Sequence, residues 1–499
     1  MRQIGFLKDE ELDSKSVNNS SSSAIIPCDF THAVIIGETG CGKTTAMIYP
    51  NLLDRIKRGH GVFIIDYKGC EHLRVKALAK QAGRLKDVVC VGSSIDTPIN
   101  FIMDMKTKDF KQSLTASMKE RDNSFWSEFG SNIATNTFEV LRAISLYHKI
   151  IEYKDRYLDF NFYIKIKSLV RTYHANFATI VDLSQDIERM RVFMDKLKEV
   201  IYTRDKLKRH DKIMYDELKI DTMIFIKKIR AFLNSVNRFK KSEGSDDRVF
   251  SDFRNYSMMM TPFLSMMNNP SLNSKEGSIA SMLKQSKIVV FNASSCDKGA
   301  LNLILASFLP SLTNRVSDTN KINISVFLDE AAKLLNEDSE LEESILRENK
   351  VELIISFQNP YLMKLAIGEI RYEALFGNLT NRYFMKNKVE CKVAGRDIEC
   401  SGLDKFECID NNSDKIKLDP MFIDTVKEDE AQMEYESINN IHQRVLGRVF
   451  ENCIIKQDSE LIERGRVKLM NLKNKKIQEK PLSMQFIKEH LDIEWFELL

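Results

Sequence analysis

Neither glycine nor proline occurs between Gly130 and Gly244. Without those backbone breakers the stretch reads as an all-helical block. Apolar residues recur in it at helical spacing, as in Met190, Phe193, Met194, Leu197 and Ile201, or Phe225, Ile226, Ile229, Phe232 and Leu233. Long apolar runs are also missing. The most apolar candidate, Leu301 to Leu312, falls short of the ~18–20 residues that span a bilayer and contains Pro310. The N-terminus carries Asp9, Glu10 and Glu11 and then a polar run from Asn18 to Ser23, without the basic-then-apolar order of a signal peptide. The nine cysteines include no CxxC pair and the eight histidines show no metal-ligand spacing, so reduced cytosolic thiols are implied. Net charge is small as well. At +3 over 499 residues, any attraction for nucleic acid must come from local clusters. Together these absences imply a soluble chain with no intrinsic transmembrane segment.

What is present begins with GETGCGKT at Gly37 to Thr44, entered from the apolar run Ala33, Val34, Ile35 and Ile36. Gly37, Gly40 and Gly42 allow backbone N–H groups to turn inward around a phosphate, and Lys43 neutralises the β and γ phosphates. The hydroxyl of Thr44 is a ligand for Mg²⁺, and Glu38, Thr39, Cys41 and Thr45 complete the loop. A short helix from Thr44, expected to stop at Pro50, directs its positive end at the same phosphates. The positive field of the loop is expected to lower the Cys41 pKa. ATP and Mg²⁺ are the implied ligands.

A second acidic site is needed for hydrolysis, and Asp329 and Glu330 supply one. The run Ile324 to Leu328 has the composition of a buried parallel strand, and doubly wound sheets place ligands at the C-terminal ends of such strands. Asp329 would hold the Mg²⁺ shell and Glu330 would activate the attacking water. The alternative is a pair of acids capping the helix that starts near Ala331.

Short β-rich runs alternate with helical patterns on either side of the breaker-free block. Strands are expected at Ala33 to Ile36, Val62 to Asp66, Val88 to Val91, Ile288 to Phe291, Ile324 to Leu328, Leu353 to Phe357 and Arg382 to Met385. The fold class is therefore α/β, a mostly parallel sheet with helices on both faces, split by an inserted all-α domain. The divisions fall at a tail over 1–23, a nucleotide-binding domain over 24–105 and 259–429, the all-α domain over 106–258, and an appendage over 430–499. The appendage reads as helical, with a basic run at Lys473, Lys475 and Lys476 and an amphipathic end from Phe486 to Leu499.

The order of motifs resembles the coupling proteins of conjugative type IV secretion systems, the TraD/TraG family. It runs GETGCGKTT, PNLL (Pro50 to Leu53), DYKGCE (Asp66 to Glu71), PIN (Pro98 to Asn100), FW (Phe125, Trp126), FLDEAAKL (Phe327 to Leu334) and ISFQNPYL (Ile355 to Leu362), over residues 30 to 390. The resemblance implies a RecA-like ATPase that works as a ring hexamer and moves DNA, with secretion subunits and relaxase-type substrate proteins as partners. It implies a sensor role for Gln358 and a finger role in a neighbouring subunit for Arg347, whose alternative is an ion pair with Glu343. Asp66 and Lys68 would sit near the phosphates or at a subunit boundary. The family's membrane anchor has no counterpart here, which implies a cytoplasmic protein recruited peripherally to the inner membrane by partners. A translocase of the FtsK/HerA kind, a coupling ATPase for protein substrates and a non-hydrolysing scaffold are the rivals.

DNA contacts rest on weaker signals. Residues 151–250 hold 22 basic and 16 acidic side chains, with clusters at Lys206, Lys208 and Arg209, at Lys227, Lys228 and Arg230, and at Arg238, Lys240 and Lys241. Each cluster is also what a solvated helix face looks like. Phe125 and Trp126 fall on a helical face with Phe129 and are expected in the core or at a hinge, and Met258, Met259 and Met260 as adaptable packing.

Overall fold

All seven β-rich runs form strands in the computed structural model: β1 (Ala33–Ile36), β2 (Gly61–Asp66), β3 (Val88–Val91), β4 (Ile288–Asn292), β5 (Ile324–Leu328), β6 (Val351–Phe357) and β7 (Asn381–Met385). The structure describes residues 25–423 apart from short stretches, of which 211–218 is the longest, and beyond them only 449–450, 453–455, 466–471 and 477–481. Two units are present, Met1–Phe422 and Ile423–Leu499. In the first, β8 (Cys391–Val393) and β9 (Arg396–Ile398) form a separate antiparallel pair, and β10 (Glu407–Ile409) and β11 (Lys415–Lys417) extend the main sheet. The order of that nine-stranded sheet is β11-β10-β7-β1-β6-β5-β2-β4-β3. β1 to β7 pair in parallel, and only β10 and β11 run antiparallel.

Burial explains the composition of the inner strands. Every residue of β1, β2, β5 and β6 is buried, so both faces are covered and the runs are mostly apolar, with Asp66, Ser325, Glu352 and Ser356 as the buried polar members. The steps from β1 to β2 and from β2 to β3 travel one way across the sheet, and those into β4 to β7 travel the other. Right-handed crossovers then place α1 (Tyr49–Lys57) and α2 (Glu71–Gln81) on one face, and the helices that follow β4, β5 and β6 on the other.

Pro50 does not stop the helix that follows the glycine-rich loop. Residues Thr44–Ile48 wind as a wide π-helical turn, and the α-helix restarts at Tyr49 with Pro50 in its first turn. The wider turn removes the demand for the N–H that proline lacks.

The chain between β3 and β4 is helical: α3 (Thr107–Lys119), α4 (Ser124–Lys154), α5 (Phe160–Thr172), α6 (Phe177–Gln185), α7 (Ile187–His210), α8 (Lys219–Ser235) and α9 (Asp246–Met260). It leaves and returns through one hydrogen-bonded joint, where Ile99 N–H donates to Ser271 O at 2.6 Å, Asn100 N–H to Gly277 O at 2.9 Å and Ser274 N–H to Ile99 O at 2.9 Å. One continuous apolar cluster joins Phe63 and Phe291 of the sheet to Phe110, Phe138 and Phe177 of the helices. A core or hinge place for Phe125 is not found, since its side chain is 63% exposed, while Trp126 is half-buried against Phe129. Of the methionine run, Met260 is fully buried and Met258 is exposed.

One buried polar group ties α1 to the middle of the sheet. Arg55 donates to both carboxylate oxygens of Glu352, at 2.8 and 3.0 Å, and both side chains are fully buried. Ser325 also donates to Glu352, and His60 Nδ1 lies 2.8 Å from the Ser325 hydroxyl. Burial pushes the His60 pKa down to about 4, which leaves the ring neutral beside this pair. Arg55→Met is expected to cost about 3–5 kcal/mol, because it leaves a buried carboxylate without its counter-charge. The loss is read as a lower urea midpoint, and the double variant Arg55→Met/Glu352→Leu should recover most of it.

Among the described residues of the appendage no helix is found. The described residues of the second unit form an antiparallel four-stranded sheet, β12 (Val449–Phe450), β13 (Cys453–Ile455), β14 (Arg466–Asn471) and β15 (Ile477–Pro481). Antiparallel pairing of consecutive strands overrides the helix propensity of a charged sequence. Lys473, Lys475, Lys476 and the run from Phe486 to Leu499 lie outside the described residues, as does the tail over 1–23.

Candidate nucleotide site

The glycine-rich loop leaves β1 at its C-terminal end and turns on residues that tolerate no side chain. Gly40 and Gly42 have φ of +83° and +100°, and a Cβ on Gly42 would come within 2.4 Å of the Phe406 ring. The N–H groups of Gly40 and Gly42 have no acceptor among the described residues, the condition a phosphate requires. Lys43 is buried, and its Nζ donates to the carbonyls of Gly37 at 2.6 Å and Glu38 at 3.1 Å. The ammonium therefore lies folded over the loop, where phosphate oxygens can replace the carbonyls. Cys41 differs from expectation. It is buried, and desolvation pushes its thiol pKa up despite the nearby Lys43 charge.

The acidic doublet lies at the end of β5, and the sheet order brings it to the loop. Thr44 Oγ1 donates to Asp329 Oδ2 at 3.2 Å across 285 residues of sequence. Ser356 of β6 donates to the other oxygen, Oδ1. Glu330 takes the left-handed conformation, φ 59° and ψ 41°, unusual for a residue with a side chain and typical of strained functional turns. Its carboxylate accepts from Gln358 Nε2 at 2.9 Å on both oxygens, while Gln358 Oε1 accepts from Thr39 Oγ1 at 2.9 Å. One amide thus links the acid at the end of β5 to the glycine-rich loop. Glu330 makes no side-chain capping bond to the short helix Ala331–Leu334, while Asp329 Oδ1 accepts from the Glu330 N–H at 3.1 Å.

Asp66 ends β2 beside this group. The β2/β5 register sets Ile64 opposite Phe327, and two further residues set Asp66 level with Asp329 on the same face of the sheet. His72 donates to Asp66 Oδ2 from its backbone N–H at 3.3 Å, and its ring Nδ1 lies 3.2 Å from the same oxygen. Burial alone would raise the Asp66 pKa, but these bonds hold it below the usual carboxylate range. Its Oδ1 is buried without a partner. Lys68 lies outside the described residues.

Three residues of the site carry no signal in the sequence. Ser356 sits one step before Phe357 in a run that reads as apolar. Phe406 and Phe422 come from the segment around β10 and β11, where no motif marks them. Phe406 N–H donates to Cys41 O at 3.3 Å and its ring meets Phe422 edge-on at 6.2 Å. Met421 N–H donates to Thr45 O at 2.8 Å, which holds the 71%-exposed Phe422 ring beside the start of the loop helix.

Arg347 is not brought to this group. It is exposed on the helix Glu343–Glu348, which precedes β6, whereas Gln358 follows β6. At about 3.3 Å per strand residue the two ends lie roughly 20 Å apart.

The fold is shared with solved proteins. The plasmid coupling protein TrwB in complex with ADP and Mg²⁺ is 11% identical, with a TM-score of 0.50 over 82% of this chain and 91% of that one. The chain shares the fold of that coupling protein, a mostly parallel sheet with helices on both faces. TrwB in complex with the non-hydrolysable ATP analogue ADPNP is also 11% identical, with a TM-score of 0.48 over 82% of this chain and 90% of that chain. No family model matches the chain, and no curated protein matches it. Among the described residues no helix is long and apolar enough to cross a membrane.

Proposed function

We propose that this chain is an ATP-hydrolysing motor that delivers DNA to a conjugative or type IV secretion channel, working as a ring of copies, most simply six. The observation that carries the ATPase reading is the bridge Thr39–Gln358–Glu330, with Thr44 on Asp329 beside it. Binding loop, metal ligands and candidate base converge on one point. Thr44 and Asp329 would hold Mg²⁺, which neutralises charge on the β and γ phosphates. The N–H groups of Gly40 and Gly42 and the ammonium of Lys43 bind the phosphate oxygens. Glu330 takes a proton from the attacking water and Gln358 holds that carboxylate in place. Asp66, ionised and held by His72 at the end of β2, would add negative charge beside the metal site. The exposed Phe422 offers a face for the adenine ring.

Arg347 acts in this scheme on the site of a neighbouring copy, consistent with its exposure and its distance from its own loop. DNA would run over the helical insert, where Lys227 and Arg230 are exposed. Other basic residues there are used internally: Lys228 pairs with Glu139 at 2.8 Å, and Arg238 covers the Phe129 ring at 4.4 Å. Such a motor would work at the inner membrane through secretion subunits and take relaxase-type proteins as cargo. ATP hydrolysis per protein molecule is expected to rise steeply with protein concentration and with added DNA, and Arg347→Ala should remove the concentration dependence. A rate per molecule that does not change with protein concentration, and that Arg347→Ala leaves unaltered, would reject a shared site.

A further inference from the structure

Helices α4, α5 and α8, together with the chain entering the insert at residues 100–107, enclose an open groove of about 790 Å³. It lies apart from the glycine-rich loop and shares no residue with it. The α4 wall presents Glu139, Arg142, Ala143, Leu146 and Lys149, a spacing that falls on one helical face. The floor is apolar and includes Ile102, Phe138 and Val170. Around it Met103, Leu146 and Ile224 are exposed, at 40%, 61% and 56%. Ile220 and Met223 extend this exposed apolar strip along α8 at helical spacing. The rim is basic: Lys106, Arg142, Lys149, Arg171 and Lys275 are all exposed. Lys106, Lys149, Arg171 and Lys275 pair with no acidic side chain among the described residues. The Glu139 carboxylate is engaged by Lys228, which leaves Glu276 as the exposed acid of the lining.

We propose that this groove receives an acidic amphipathic helix of a partner protein. An apolar floor between helices takes the apolar stripe of a docked helix, and unpaired cations on the rim take its carboxylates. A nucleic-acid strand fits the charge but not the floor. Single strands gain affinity by stacking bases on free aromatic faces, and here Phe138 is buried under the Arg142 guanidinium at 5.1 Å, while the Tyr173 ring carries the Lys196 ammonium at 5.1 Å and packs on Phe193. The apolar surface left exposed is aliphatic, which suits a peptide helix rather than a base.

The test uses the full chain and fluorescence anisotropy with a labelled 20-residue peptide that has leucine on one helical face and glutamate elsewhere. Binding is expected, at least tenfold tighter than for the same composition scrambled. Leu146→Asp, and separately Lys149→Glu/Arg171→Glu, should each weaken it at least tenfold without changing ATP turnover or the melting temperature. The charge-reversed variant should in turn bind the peptide in which lysine replaces glutamate. Equal binding of the scrambled peptide, or no effect of either variant, overturns the proposal. So does tighter binding of labelled dT20 that the same substitutions weaken, which would make the groove a nucleic-acid surface. Because the readout is binding and the variants lie outside the nucleotide site, failure here is separable from failure of the ATPase reading.

Discussion

Glu330→Gln is expected to bind ATP as the parent chain does and to hydrolyse it about 10²–10⁴-fold more slowly, the range that a positioned general base contributes. The substitution is nearly isosteric, and the left-handed turn that carries the residue is set by the backbone of β5 and the following helix. What changes is the chemistry of the group facing Gln358. The carboxylate that accepts two bonds from the Gln358 amide becomes an amide that cannot take a proton from water. The check has two arms. Equilibrium binding of a fluorescent ATP analogue should stay within about twofold, and steady-state phosphate release with saturating DNA should fall by the stated factor, each decade being about 1.4 kcal/mol of barrier. Equal phosphate release from variant and parent, with and without DNA, would leave a nucleotide-holding scaffold as the better account.

Lys43→Ala separates binding from chemistry in the opposite way. The ammonium is buried and points at the carbonyls of Gly37 and Glu38, so phosphate oxygens replace bonds already formed at that place. Charge-assisted bonds of this kind are worth about 1.5–3 kcal/mol each, so loss of both lowers ATP affinity by about two to four decades. Hydrolysis then falls below detection at millimolar ATP, and melting-temperature protection by ATP disappears. Phe422→Ala gives a contrast on the base side: it should raise KM for ATP several-fold and leave kcat nearly unchanged, since the ring touches no reacting atom. A lysine variant that keeps full ATP affinity would remove the phosphate loop from the mechanism.

The parts of this site differ in how far a sequence can reveal them. Gly40, Gly42, Lys43 and Thr44 are legible because the loop, its entering strand and its leaving helix occupy adjacent positions, and positive φ at two of them demands glycine. Asp329 and Glu330 are legible because a buried parallel strand announces its own end. Ser356 is not, since a serine inside an apolar strand looks like tolerance until its neighbour across the sheet is known. Phe406 and Phe422 lie near an antiparallel edge that follows every recognised motif, and only the close approach to Gly42 gives them meaning. The Cys41 thiol is not legible for a related reason: charge nearby is visible in sequence, burial is not, and burial has the larger effect on the thiol.

By itself the sequence determined the seven parallel strands, the glycine-rich turn and the breaker-free helical block, because each depends on side-chain periodicity and backbone freedom within about a dozen residues. Only the tertiary structure decided that β5 and β6 lie between β1 and β2, which sets Thr44, Asp329, Ser356 and Gln358 around one point, and that the described part of the C-terminal unit is a sheet. The order of strands in the main sheet is selected by packing among segments hundreds of residues apart, and in the C-terminal unit the pairing of consecutive strands outweighs the local preference of a charged sequence.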